Sequence, residues 1–110
     1  MALFAVLTNA TPTGISADEF MRRLPEGYTY MKGLIDKGTI THSWVRVGES
    51  GGLSIFDVPS HEELMFALYG NPISPHLKFT IWPLAQVDDF EPEEFAPPAE
   101  EPAVAEAALA

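Results

Sequence analysis

Apolar and polar residues alternate through Thr39 to Val47, so that Ile40, His42, Trp44 and Arg46 fall on one side of an extended chain and Thr41, Ser43, Val45 and Val47 on the other. A turn at Glu49-Ser50-Gly51-Gly52 leads into Leu53 to Val58, a second run rich in strand formers, and the pair predicts a β-hairpin. Upstream, the apolar run of residues 2 to 8, ALFAVLT, predicts a buried strand that stops at Asn9 and the TPTG turn residues. Ser16 and Glu19 stand three apart, as in a capping box. Phe20, Met21 and Leu24 then form an apolar stripe that Tyr28, Met31, Leu34 and Ile35 continue. Pro25 and Gly27 predict a break or kink between Leu24 and Gly27, with Pro25 restarting the helix at its first turn, and Gly38 supplies the left-handed stop. Ser60 and Glu63 repeat the capping signal before a shorter helix with Leu64, Ala67 and Leu68 on its buried side, closed by Gly70. After a stiff loop, Asn71 to His76, the run from Leu77 to Leu84 predicts a last strand, where Pro83 suits only an edge or an end.

The order β-α-β-β-α-β predicts an α+β, ferredoxin-like antiparallel sheet with both helices on one face. The other face then carries large side chains, His42, Trp44 and Arg46 among them. A second copy is the simplest cover, so a homodimer is expected.

With 110 residues the chain has room for one domain. Its charge is unevenly spread: residues 1 to 84 carry eight acids and all six bases, whereas residues 85 to 110 carry eight acids and no base. The domain is expected over 1–87, and 88–110 is expected to be a mostly disordered acidic, Pro/Ala-rich tail, with Phe90 and Phe95 able to dock back on the body. A body near neutrality without a basic stripe argues against nucleic acid. The chain has no cysteine, which rules out disulfides, thiolate nucleophiles and cysteine metal sites. No membrane span or signal core is visible, and a cytoplasmic location is expected.

His42, His61 and His76 show no metal-ligand spacing, no serine sits in a nucleophile elbow, and the glycines of the hairpin turn lack phosphate-loop spacing. Acid–base chemistry in an apolar pocket remains. His42, between Ile40 and Trp44, is either a proton acceptor held neutral by burial or a hydrogen-bonded core histidine. Glu26, at the predicted helix break, is a carboxylate base or a first-turn acid. Arg46 and Lys78, the cations within strands, could hold a substrate carboxylate or lie solvated at strand ends. Tyr28 and Tyr30 could donate to an enolate, although packing alone explains them.

Gly38, Thr39, His42, Trp44, Gly48, Ser54, Phe56, Asp57, Val58, Pro59, Ser60, Glu63, Leu64 and Pro75, over about half the chain, resemble the muconolactone isomerase family, and Met1 to Leu7 resembles its opening strand more loosely. The resemblance implies a ferredoxin-like protomer, dimers joined through their sheets into an α+β barrel, and room for decamers of five dimers. It also implies a reaction without metal or cofactor, in which a lactone loses a proton and regains one elsewhere, moving its double bond. Two segments depart from the family pattern. The middle of the first helix reads LPEGYTYMKG, which leaves Glu26 in place of the family's acid, and the hairpin turn reads Glu49-Ser50-Gly51-Gly52 where the family has His-Tyr-Ala-Asn.

The expected function is therefore an isomerase acting on a small acidic lactone in aromatic-compound catabolism. His42 or Glu26 would move the proton, Tyr28 or Ser54 would assist, and Arg46 or Lys78 would hold the carboxylate. Trp44, Phe56 and Trp82 would line the substrate site. Two alternatives share the architecture: a non-catalytic small-molecule-binding or accessory protein, and a cofactor-independent monooxygenase or cyclase.

Overall fold

The computed structural model describes residues 2–95 and residue 97. Four strands, β1 (Ala2–Ala10), β2 (Ile40–Val45), β3 (Gly52–Val58) and β4 (Leu77–Leu84), alternate with two helices, α1 (Ala17–Asp36) and α2 (His61–Tyr69), in the expected order. They form one antiparallel sheet, β2-β3-β1-β4, the ferredoxin-like arrangement. The apolar run at the start of the chain becomes a central strand, and Pro83 lies near the end of the edge strand β4, where its missing N–H costs least.

Both helices start where their serines can accept a bond from an otherwise unpaired amide. The Ser16 hydroxyl accepts from the Glu19 N–H at 3.1 Å and the Ser60 hydroxyl from the Glu63 N–H at 3.2 Å. The reciprocal half of the first capping box is replaced by ion pairing. The Glu19 carboxylate turns to Arg23 and Arg22, at 2.9 and 2.8 Å, and these guanidinium groups hold it below the usual carboxylate range. Lys37 caps α1, and Gly38 follows it with φ +80°, as its position predicts.

The expected break near Pro25 is not there. α1 runs unbroken from Ala17 to Asp36 with Pro25 inside it. The proline forfeits one bond to the carbonyl of Met21, an exposed residue, so solvent can take that bond's place. Phe20 and Leu34, buried on either side of the proline, anchor both halves of the helix to the sheet.

The core lies between the helices and one sheet face, built from Phe4, Val6, Leu34, Ile40, Phe56, Val58, Leu64 and Leu68. Tyr30 ties the two helices together, its hydroxyl donating to the Ala67 carbonyl at 2.7 Å, and burial pushes its phenol above the ordinary value, which keeps the proton it donates. Tyr30→Phe is expected to cost about 1 kcal/mol in urea unfolding, the usual net worth of one such bond.

The face assignment along β2 needs correction. Ile40 pairs with Phe56, but His42 pairs with Ile55, so a bulge at Thr41 absorbs one residue. Beyond it the parity is reversed. Ile40, Ser43 and Val45 face the helices, whereas His42 and Trp44 face away, with their rings stacked 5.8 Å apart. The predicted grouping of Ile40 with His42, Trp44 and Arg46 is undone by this one inserted residue.

After β4 the chain forms two short 3-10 turns, Val87–Asp89 and Pro92–Phe95. Phe90 and Phe95 meet each other edge to face at 5.3 Å, and both are exposed. Most of the acidic tail, residues 98–110, lies outside the described residues. No helix among the described residues is long and apolar enough to cross a membrane.

Candidate active site

A cavity of about 310 Å³ opens between α1 and the helix-facing side of the sheet, at the end where the β2–β3 hairpin turns. Its helical wall is Phe20, Met21, Leu24, Tyr28 and Met31, the same stripe that carries α1 past Pro25. Gly27 belongs to this wall because Ile73 presses against it: a β-carbon there would come within 2.7 Å of Ile73 Cδ1. The lining is mostly apolar, so the few polar groups along it set where a polar ligand atom would sit.

Three polar features mark the cavity. The first is a hydroxyl pair on the sheet, Ser43 and Ser54, with Oγ atoms 2.8 Å apart and Ser54 only 4% exposed. The bulge at Thr41 is what brings Ser43 opposite Ser54 on the helix side. The second is Asn71, 8% exposed. Its Oδ1 accepts from the Ile73 N–H at 3.1 Å, which uses the acceptor end of the amide, and the residue lines the cavity. The third is the hairpin turn, where Glu49 lines the mouth and Arg46 binds it at 2.6 Å.

Arg46 builds that mouth rather than facing into it. Its Nη1 donates to the Glu49 carboxylate at 2.6 Å, and Nη2 donates to the Ser50 carbonyl at 2.6 Å and to the Asn9 Oδ1. The turn is also pressed onto β1 through Gly51, at φ +88°, where an added β-carbon would overlap the Thr8 carbonyl. Glu49 is thus held by a turn fastened at two points, while its own side chain remains mostly in solvent.

The residues singled out from sequence divide between two faces. Ser54 and Tyr28 line the cavity. Phe56, 3% exposed, packs in the core beside Phe4 instead of lining the site, because its strand position falls under the helices. Trp44 borders the cavity from between Ser43 and Val45, but its ring stacks on His42 on the opposite face. Strand register puts Lys78 and Trp82 on that face as well, opposite Asn9 and Ala5. His42 is exposed there rather than buried, and Glu26 is exposed on α1 without bordering the cavity. Sequence reasoning missed Ser43, Glu49 and Asn71. Glu49 stands in the hairpin turn, whose glycines signal only a turn in the sequence. The Ser43 signal was hidden by the bulge.

Among the described residues no group of three or more His, Asp or Glu side chains sits where it could hold a metal ion. The outer face, by contrast, is a broad apolar surface: Trp44, Trp82 and Leu84 are exposed there around half-buried Leu3, Leu7, Leu53 and Ile55.

Known proteins show the same fold. The crystal structure of muconolactone isomerase superposes with a TM-score of 0.68 over 87% of this chain and 97% of that one, at 24% identity. A 5-chloro-2-hydroxyhydroquinone dehydrochlorinase from Burkholderia phenoliruptrix, in complex with 2,5-dihydroxybenzoquinone, superposes with a TM-score of 0.62 over 81% of this chain and 99% of that one, at 14% identity. In sequence, the muconolactone Delta-isomerase of Cupriavidus pinatubonensis is 50% identical over 40 residues, 36% of this chain and 44% of the relative. That of Acinetobacter baylyi is 38% identical over 55 residues, 50% of this chain and 57% of the relative. The chain spans about half the length of the curated relatives it matches. The family model for muconolactone delta-isomerase matches residues 2–89, nearly the whole of the described fold. The chain belongs to the muconolactone delta-isomerase family.

Proposed function

We propose that this protein is an isomerase of aromatic-compound catabolism that shifts the double bond of a small unsaturated lactone by proton transfer, without a cofactor, in the cavity between α1 and the sheet. The observation that carries the reading is that one carboxylate, Glu49, and a half-buried hydroxyl pair, exposed Ser43 and buried Ser54, line one mostly apolar space. Glu49 takes a proton from a ring carbon next to the double bond. The electrons move onto the lactone carbonyl oxygen, and a dienolate forms. The Ser54 hydroxyl, aligned by Ser43, donates to that oxygen, and Tyr28 does so from the helical wall. Glu49 then returns the proton to another ring carbon, so substrate and product are isomers. This reading moves the base from His42 or Glu26 to Glu49, because only Glu49 among the three borders the space where a ring would sit.

The direct test is turnover in deuterated water, followed by NMR. A shifted double bond with deuterium at the newly saturated carbon is the expected result, and an unchanged lactone after prolonged incubation would remove the reading.

We further infer that the protein works as a homodimer in the cytoplasm, with the outer sheet faces packed together. An apolar surface holding two tryptophans is costly to leave in water, and a two-fold pairing covers it on both copies. Placing a charge on it with Trp82→Glu is expected to convert the dimer to monomer, read by sedimentation velocity. A wild-type protein that sediments as a monomer would remove the dimer.

A further inference from the structure

We infer that this cavity takes an uncharged unsaturated lactone, a five-membered ring with a short apolar substituent, in preference to a lactone bearing a free carboxylate. The inference rests on the isomerase reading and specifies its substrate class.

Positive charge is absent from the cavity lining. All six lysines and arginines of the chain lie among the described residues: Arg22, Arg23, Lys32, Lys37, Arg46 and Lys78. None of them lines the cavity, and neither do His42, His61 or His76. Arg22 and Arg23 are engaged with Glu19 on the outside of α1. Lys78 pairs with Asn9 in register, on the sheet face turned away from the helices. Arg46 is nearest, but its guanidinium is committed to Glu49, Asn9 and the Ser50 carbonyl. Its charge is balanced by the carboxylate beside it, so the mouth as a whole is close to neutral.

A substrate carboxylate entering this space would lose its hydration and gain no unpaired cation in return. A neutral ring does not meet that obstacle. The apolar helical wall accepts its substituent, and the Ser43–Ser54 pair and the Asn71 amide can donate to its carbonyl and ring oxygens without needing charge. A second copy does not supply the missing cation. If the copies pack through their outer faces, Lys78 stays across the sheet from the cavity, Arg46 stays bound to Glu49, and residues 85–110 bring eight acids and no base.

The experiment compares two five-membered unsaturated lactones that differ in one substituent, methyl or carboxymethyl, with the full-length protein at neutral pH. Both isomerisations relocate one proton and consume no co-reactant. The methyl compound is expected to show kcat/KM at least about tenfold higher, since one poorly compensated charge is worth that much or more. Equal or faster turnover of the carboxymethyl compound overturns the inference and leaves the isomerase reading standing. Turnover of neither overturns the isomerase reading, and the inference with it. A second variant makes the cause explicit. Met21→Lys places a cation on the cavity wall at an exposed helix position. It is expected to shift the ratio of the two kcat/KM values toward the carboxymethyl compound by about tenfold, and an unmoved ratio would count against the charge argument.

Discussion

Glutamine in place of Glu49 is expected to lower kcat/KM for an unsaturated lactone by about 10²- to 10⁴-fold, the range that positioned proton transfer contributes. The loss should fall on kcat, because the glutamine amide keeps the size of the side chain and its ability to meet Arg46, while it cannot accept a proton from carbon. Folding should be little affected. The Glu49 side chain is 70% exposed, and an exposed ion pair contributes little to stability. Steady-state kinetics beside a urea unfolding curve separate the two effects. Turnover that survives Glu49→Gln and fails in Glu26→Gln would transfer the role of base to Glu26.

The largest effect on stability is expected at Gly51. Alanine there combines a left-handed backbone, φ +88°, with a β-carbon that would overlap the Thr8 carbonyl, so the turn must lift from β1. The combined cost is at least about 3 kcal/mol, because the strain of a non-glycine residue at positive φ is compounded by a backbone clash that no rotamer can relieve. Lifting the turn also moves Glu49 and Arg46, since the Ser50 carbonyl and Asn9 are the points to which Arg46 is fastened. Gly51→Ala should therefore lose activity at temperatures where it remains folded. A variant with wild-type unfolding midpoint and turnover would show that the hairpin mouth is not the rigid element described above.

These two residues share a turn, and they illustrate how site and fold depend on each other here. The turn departs from the family pattern, reading Glu49-Ser50-Gly51-Gly52. The two glycines allow close contact with neighbouring strands, Gly51 with β1 and Gly52 with β2. That contact fixes the neighbouring glutamate over the cavity. The same departure that separates this chain from the resemblance provides its best-placed carboxylate.

Much of the architecture was legible from pattern. The serine caps, the glycine stop after α1, the hairpin and the edge position of Pro83 all follow from local rules, because each is decided by hydrogen bonds and dihedral preferences within a few residues. The order of elements then left few ways to close a sheet with helices on one face. Pro25 was over-read for a physical reason. A proline breaks an isolated helix, but burial of Phe20 and Leu34 on both sides supplies more than the single lost bond removes.

The site was less legible, because it depends on parity. His42, Trp44 and Arg46 alternate with Ser43 and Val45 in the sequence, and nothing in that alternation reveals that Thr41 is a bulge. One inserted residue sends every side chain after it to the opposite face, so it decides whether serine or histidine lines the cavity. By itself the sequence determined the fold, the one-sided helical layer and the concentration of acid in the tail, all of which rest on local periodicity and composition. Only the tertiary structure decided that Ser43 and Ser54 meet beneath α1, that Glu49 overlooks the space and that the chain's cations are arranged around it rather than within it, because strand register is a property of pairing between distant segments.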